Sequence, residues 1–189
     1  SNISYGVSFE NDVYVAYEDP TPGEENDTFE YAGVLGVPLT FSHDGGNISN
    51  AIVLEISGDG TEDEIRYTFD YTEPTENSNL YTGPLTIDET TIVRAKAFKA
   101  GYISLHSNTR NYFYDIESSH PIIHLVTDEY NLFDYDYGIY AYGPPDYGGY
   151  PYFGANFWED WERPVHISYY ENNELEFSAN AGIKIAGAY

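Results

Sequence analysis

The sequence predicts a mainly β protein, and three observations lead to that prediction. The 189 residues include 21 tyrosines, 10 phenylalanines and 2 tryptophans, and aromatic residues favour strands. Apolar and polar side chains alternate with a period of two, most clearly in residues 65–69 and 91–98. Turn-forming residues, such as those at 70–75 and at Gly83 and Pro84, separate the alternating segments.

The predicted elements are short strands joined by turns and one acidic linker. The linker covers 18–27, which is rich in carboxylates, Pro and Asn, and the turns cover 43–47 and 58–64. The predicted strands lie, in chain order, at 3–17 (one or two short strands), 37–42, 51–57, 65–69, 80–87 (interrupted by the turn at Gly83 and Pro84), 91–98 and 112–114. Within 91–98, one face carries Val93, Ala95 and Ala97, and the other carries Ile92, Arg94, Lys96 and Phe98.

The composition excludes several classes of function. The formal net charge is −25, from 32 acidic and 7 basic residues, so a nucleic acid or an anionic membrane surface is disfavoured as a partner. The absence of cysteine excludes disulfides, thiolate zinc sites and a cysteine nucleophile. No apolar run approaches the roughly 20 residues that a membrane span needs. Because methionine is also absent, we expect a mature, processed or excised piece of a protein.

Three phrases of the central region resemble a known module. They are I-R-Y-T-F-D-Y-T-E-P-T, L-Y-T-G-P-L-T-I and T-T-I-V-R-A-K-A-F-K-A-G-Y, in that order. Over residues 37–116 the chain resembles the C-terminal β-sandwich domain of chitobiase and β-hexosaminidase enzymes. This resemblance implies an immunoglobulin-like or fibronectin-like sandwich at 34–117. It implies no glycosidase activity, because in those enzymes the module is an appendage to the catalytic domain.

The first part of the chain carries a shorter resemblance. The phrase D-P-T-P-G-E-E-N is similar to the ending of bacterial lamin-tail domains, where T-P-G-x-x-N closes the last strand. Residues 1–33 are therefore expected to hold the end of a preceding domain followed by the acidic linker.

The last part of the chain resembles the opening of bacterial CotH-type proteins, a family of atypical secreted or spore-coat protein kinases. The phrases that carry this resemblance are L-V-T-D, N-L-F-D-Y-D-Y-G-I-Y, W-E-R-P and G-I-K-I-A-G. The resemblance implies that residues 118–189 form the opening strands of a kinase-like α+β domain. It also implies a bacterial protein that is secreted or displayed at the cell surface, with the remainder of its own polypeptide as a partner.

A kinase of this family would use ATP with Mg²⁺ or Mn²⁺ to phosphorylate protein hydroxyls. The metal-binding and catalytic acidic residues of the family are expected beyond these phrases, so no catalytic residue is assigned and this piece alone is expected to be inactive. Lys184, between Ile183 and Ile185, is a candidate for contact with the nucleotide phosphates. An exposed strand lysine is the alternative interpretation.

Two further groups of residues are candidates for binding. Asp59, Glu62 and Asp63 supply hard oxygen ligands that could bind calcium, or they form a solvated acidic turn. Trp158 and Trp161 could stack on sugar rings, or they could pack beside Arg163, which is expected to pair with a neighbouring carboxylate.

A binding or adhesion module is therefore the alternative to an accessory part of a kinase. It would recognise a surface protein or polysaccharide through Trp and Tyr side chains, including those of the tyrosine-rich segment 134–153. A purely structural spacer is the third interpretation. The five histidines show no zinc spacing; His120 and His124 would lie roughly 13 Å apart on a strand.

Overall fold

The computed structural model describes residues 3–8, 13–18, 21, 23–24, 29–105, 107–116, 118–144 and 149–186. These residues form mainly strands, which confirms the predicted fold class. In chain order, strands β1 to β16 are Ser4–Val7, Tyr14–Tyr17, Gly33–Leu35, Thr40–Phe41, Gly46–Ile48, Ile52–Leu54, Ile56–Ser57, Glu64–Thr68, Asn79–Leu80, Leu85–Ile87, Thr91–Phe98, Tyr102–Ser104, Asn108–Tyr114, Ile122–Val126, Arg163–Glu171 and Glu174–Ile183. Helix α1 spans Glu129–Phe133, and a 3₁₀ helix spans Asn156–Trp158. Neither of these described helices has the length and apolar composition needed to cross a membrane.

The central part of the chain forms a β-sandwich. One layer is a five-stranded sheet in the order β5-β13-β11-β8-β9, and the antiparallel pairs β4-β7 and β6-β10 pack against it. A parallel pair, β3-β12, lies beside them. The apolar side chains of these strands meet in one buried cluster, formed by Leu35, Val37, Leu39, Phe41, Leu54, Ile56, Ile65, Ile87, Val93, Ala95, Ala97 and Tyr112.

Strand β11 is the centre of the sandwich, because it pairs with β13 on one side and β8 on the other. Val93, Ala95 and Ala97 are buried in the apolar cluster, as their shared face predicts. Arg94 points to the opposite face and is nevertheless buried. The loop that carries Glu73 and the strands that follow the sandwich both contribute to covering that face.

Strand pairing in three segments goes beyond the prediction. Residues 80–87 form β9 and β10 on the two sides of the predicted turn at Gly83 and Pro84, and these strands join different sheets. Residues 51–57 split into β6 and β7 at Glu55. The predicted turn at 43–47 contains the start of β5, which pairs with β13 in parallel. Such splits depend on distant partners, which a local pattern does not specify.

A three-stranded antiparallel sheet, in the order β14-β15-β16, follows the sandwich and packs against it. The ring of Phe113 on β13 makes edge contacts with Tyr170 and His124, at centroid distances of 5.0 and 5.7 Å. The amide of Asn111 donates to the hydroxyl of Ser168 at 3.1 Å. Alternate residues of β15 therefore face the sandwich, and this is why polar residues such as Ser168 are buried there.

The turn between β15 and β16 ties this sheet to the edge of the sandwich. Asn172 and Asn173 have φ angles of 51° and 66°, a left-handed turn that Asn tolerates well. The carbonyl of Asn173 lies against β5: a Cβ added at Gly46, whose φ is 96°, would approach that oxygen to 2.8 Å. Glycine is therefore required at this position by both its dihedral angle and the close approach.

The beginning of the chain forms a hairpin of β1 and β2, in agreement with the predicted short strands. Ala16 bridges to Tyr31, and the Glu30 carboxylate accepts hydrogen bonds from Ser8 and Tyr17 at 2.6 and 3.1 Å. Much of the predicted linker at 18–27 lies outside the described residues.

We expect the apolar cluster to dominate the stability of the sandwich. Leu54 is 0% exposed and Val53, its neighbour in β6, is 59% exposed. Leu54→Ala should lower the free energy of unfolding by about 2–5 kcal/mol, because it removes buried methyl groups and leaves a cavity. Val53→Ala, the matched control, should change it by about 0.5 kcal/mol or less. Urea denaturation measures both; similar losses in the two variants would contradict the packing of β6.

Candidate functional site

A cleft of about 730 Å³ opens between the sandwich and the three-stranded sheet. We call it the Arg94 cleft. From the sandwich it is lined by Arg94 on β11 and by Glu73 and Ser107. From the sheet it is lined by His166 on β15 and Asn180 on β16. Neither module forms this cleft alone, because each contributes one wall.

The sandwich wall is a network around the guanidinium of Arg94, which is 9% exposed. It donates to the carbonyl of Tyr71 at 2.6 Å and to the hydroxyl of Ser107 at 2.9 Å, and it forms an ion pair with Glu73. The other carboxylate oxygen of Glu73 forms an ion pair with Nζ of Lys96 at 3.4 Å. A buried charge needs such partners, since loss of one partner leaves the charge unpaired in a low-dielectric environment.

The opposite wall is organised by His166, which is 7% exposed. Its Nδ1 is 2.8 Å from the Asn180 carboxamide oxygen; because that oxygen only accepts, Nδ1 carries the proton. Burial lowers the pKa of His166; the bond to Asn180 opposes this shift, and the charges of Arg94 and Arg110 reinforce it. The neutral imidazole is therefore favoured, and its Nε2 is buried without a hydrogen-bond partner among the described residues.

Two buried polar atoms on the side chains that line the cleft have no protein partner. They are Nε of Arg94, which is a donor, and Nε2 of His166, which is an acceptor in this tautomer. Buried polar atoms without a partner are uncommon and costly. Among the described residues, other buried atoms share this state, including Oδ1 of Asn111 and Nδ1 of His124, so the cleft is not the only place where packing leaves a polar atom without a partner.

Aromatic side chains surround the outer side of the cleft. Tyr130 lines the cleft, is exposed, and stacks on Tyr137 with a centroid distance of 4.8 Å. Arg163 lies over the Tyr137 ring at 3.6 Å and near the Trp161 ring at 4.9 Å. Its guanidinium donates twice to the carbonyl of Tyr137, at 2.9 and 2.7 Å, rather than pairing with a neighbouring carboxylate as predicted.

Beyond the cleft, the segment from α1 to the 3₁₀ helix presents a row of exposed rings. Several of them contact one another, as in the pairs Phe133–Tyr140 and Phe153–Trp158. We call this region the aromatic surface, formed by Tyr130, Phe133, Tyr135, Tyr140, Tyr142, Tyr150, Phe153 and Trp158. Exposed aromatic groups of this extent are typical of a recognition surface.

The two tryptophans that the sequence singled out occupy different surroundings. Trp158 belongs to the aromatic surface, and its indole N–H donates to the carbonyl of Pro151 at 2.9 Å. Trp161 is half-buried, and one neighbour of its ring is the guanidinium of Arg163. Trp158 is thus the one of the two that presents more of its ring to solvent.

The other predicted binding residues lie apart from the cleft. Lys184 is exposed and forms an ion pair with Asp160 at 2.7 Å. Asp59 accepts from Thr61 at 2.6 Å, Glu62 from the Gly60 amide at 3.0 Å, and Asp63 from the Ala100 amide at 3.0 Å. Within the described part of the chain, no group of three or more His, Asp or Glu side chains converges in a way that could hold a metal ion.

Sequence reasoning did not identify the Arg94 cleft. The alternation in β11 placed Arg94 and Lys96 on one face together with Ile92 and Phe98. Nothing local indicates that a distant sheet helps to cover this face. The available signal lay in β15, where His166, polar Ser168 and apolar Tyr170 occupy alternate positions and so share one face. Buried polar side chains at alternate positions of a strand indicate a polar contact with another layer.

Comparison with known proteins identifies the central module. Residues 43–109 match the family model of the chitobiase/beta-hexosaminidase C-terminal domain. This segment lies within the predicted sandwich at 34–117; it includes β11 and its neighbour β8, and it ends near the start of the other neighbour, β13. The chain therefore carries a module of this kind. No curated protein and no solved structure matches the chain.

Two histidines, buried His166 and half-buried His124, make stability depend on pH. Burial lowers the pKa of His124 and of His166 from the usual 6.5. The unfolded chain therefore binds protons below about pH 6.5 that the folded protein does not, so the free energy of unfolding should fall as the pH drops through that value. Urea denaturation at about pH 7.5, 6.5 and 5.5 measures this loss.

His166→Gln should show a smaller loss of stability than the wild type over this pH range, because glutamine does not titrate. Both proteins contain the same carboxylates, so the difference between their two pH dependences excludes the carboxylate contribution. His43→Gln replaces an exposed histidine and should retain the wild-type loss. Equal pH dependence in the wild type and in His166→Gln would refute the assignment.

Proposed function

We propose that this chain is a non-catalytic accessory portion of a larger bacterial protein of CotH type, secreted or displayed at the cell surface. In this proposal the chitobiase-type sandwich carries the opening strands of a kinase-like domain. The observation that carries the proposal is the open edge of the second sheet. Strand β16 spans ten residues and, among the described strands, pairs with β15 alone.

The exposed face of this sheet supports the same proposal. Ile123 pairs with Tyr169, which pairs with Phe177, so the three side chains form one row across the sheet. Ile123 and Phe177 are exposed, and so is Leu125 in the neighbouring row. An exposed apolar face beside a long unpaired edge is usually covered by further structure, because it otherwise promotes aggregation.

The positions of the resembling phrases are also consistent with this proposal. L-V-T-D covers the end of β14 and the N-cap of α1, and N-L-F-D covers the end of α1. W-E-R-P leads into β15, and G-I-K-I covers the end of β16. Lys184 directly follows β16 and remains the candidate for nucleotide phosphates, with ATP and Mg²⁺ or Mn²⁺ as the cofactors of the larger protein.

Phosphoryl transfer tests this proposal. A longer protein that contains this chain should transfer labelled phosphate from ATP to protein hydroxyls in the presence of Mg²⁺ or Mn²⁺. The present chain alone, as the matched control, should transfer none. If the longer protein labels no acceptor with either metal, the kinase assignment fails.

A second candidate function is recognition of polysaccharide, and the aromatic surface favours it. Flat exposed rings suit stacking on sugar rings, and tyrosines provide rigid contact at a low entropic cost. With a net charge of −25, a neutral polysaccharide is a better partner than an acidic one. The sandwich module is also one named for two enzymes that act on carbohydrates. Calcium binding by Asp59, Glu62 and Asp63 stays a prediction in both proposals.

Glycan-array binding tests the second function. Trp158→Ala and Tyr140→Ala should each weaken retention of a neutral polysaccharide by about fivefold or more, because each removes an exposed ring from the aromatic surface. Trp161→Ala would act through the position of Arg163 and should have a smaller effect. Tyr14→Ala, an exposed tyrosine of the β1-β2 hairpin, is the control and should change nothing.

A further inference from the structure

The contact between the sandwich and the three-stranded sheet is separate from the core of the sandwich. Within the described part of the chain, the apolar cluster contains no residue of β14, β15 or β16. The contact is made by aromatic and polar side chains: Phe113 packs edge-on against Tyr170 and His124, and Asn111 donates to Ser168. The sheet can therefore leave the sandwich while the apolar cluster stays closed.

Two histidines lie at this contact, on adjacent strands of the sheet. His124 on β14 meets the ring of Phe113, and His166 on β15 lines the Arg94 cleft. His124 pairs with Ser168, which lies two residues from His166, so the imidazoles are diagonal neighbours on one face. A positive charge on one ring therefore opposes a positive charge on the other.

Neither ring can hold a second proton favourably while the sheet is docked. Nδ1 of His124 and Nε2 of His166 are buried without a hydrogen-bond partner among the described residues. A protonated imidazole donates from both of its nitrogens. Each imidazolium would thus contain a buried N–H without an acceptor, as part of a buried positive charge.

Neighbouring positive charges oppose protonation further. Burial is the main cause that lowers the pKa of His166, and the guanidiniums of Arg94 on β11 and Arg110 on β13 add to it, whereas the bond to Asn180 acts against it. Burial and the neighbouring His166 lower the pKa of His124. Both modules thus contribute to keeping these rings neutral.

The carboxylates near the contact do not compensate for an imidazolium. Glu73 already binds Arg94 and Lys96 through its two carboxylate oxygens. Among the described residues, Asn180 is the only hydrogen-bond partner of the His166 ring. The other charged or titratable groups of the cleft lining and the contact are those of Asp44, Tyr112, Asp128, Tyr130, Glu162, Arg163 and Tyr170.

We propose that acid releases the three-stranded sheet from the sandwich, with His124 and His166 taking up protons as the contact opens. In the released sheet both rings meet water and bind protons near pH 6.5, the ordinary value for histidine. The docked sheet excludes these protons, so release becomes more favourable as the pH falls below about 6.5. Because each module supplies one wall, release removes the Arg94 cleft while the core of the sandwich stays folded. The inference goes beyond both candidate functions and depends on neither.

Thiol protection tests this release, because the chain contains no cysteine of its own. Ser168→Cys places a thiol inside the contact, where Ser168 is 1% exposed. Ser178→Cys, at the exposed position that pairs with Ser168, gives the reactivity of an unprotected thiol at each pH. Val93→Cys reports opening of the apolar cluster. The reaction of each variant with 4,4′-dithiodipyridine is followed between about pH 7.5 and 5.5.

The protection of the Ser168→Cys thiol should fall by up to about a hundredfold over this range, about tenfold for each histidine. Adding either His124→Gln or His166→Gln should reduce the fall to about tenfold, and adding both should abolish it. His43→Gln replaces an exposed histidine and should keep the full fall. A constant protection, or a fall that persists when both histidines are replaced, would refute their role.

The comparison of the two buried thiols separates local release from unfolding of the whole chain. At each pH the Ser168→Cys thiol should react about tenfold or more faster than the Val93→Cys thiol, because the contact opens while the apolar cluster stays closed. Equal protection of the two thiols at every pH would show that the sheet and the sandwich open together, and would overturn the proposal.

Discussion

Burial of strand β11 on both of its faces is the constraint on which the rest of the structure depends. One face supplies Val93 and Ala95 to the apolar cluster, where they lie among side chains from both layers of the sandwich. The other face carries Arg94, whose charge is tolerated only because Glu73 and Ser107 surround it. One face of β11 is apolar and the other carries a compensated charge. This strand therefore contributes both to the core of the sandwich and to the Arg94 cleft.

The three-stranded sheet supplies the second wall of the cleft that Arg94 lines. Phe113 and Asn111 of β13 hold β15 against the sandwich, through an aromatic contact and an amide-hydroxyl hydrogen bond. This packing brings His166 to the wall opposite Arg94 and leaves one donor and one acceptor unpartnered. Tyr130 belongs to both the cleft and the aromatic surface, since it lines the cleft and is exposed.

Sequence reasoning succeeded where structure follows from neighbouring residues. The alternation in 65–69 and 91–98 predicted the strands and the buried face of β11, because a strand with one apolar face must bury it. Sequence reasoning did not predict that β9 and β10 join different sheets, or that Arg94 is buried. Both failures have one cause: partners distant in sequence decide pairing and burial.

The amino-acid sequence by itself determined the mainly β class and the sandwich module, since composition, period-two alternation and ordered phrases are local or additive properties. Only the tertiary structure decided that Arg94 and His166, 72 positions apart in the printed sequence, line one cleft, and that β16 pairs with β15 alone among the described strands. The unpartnered state of a buried atom depends on everything packed around it, and that is a property of the folded chain.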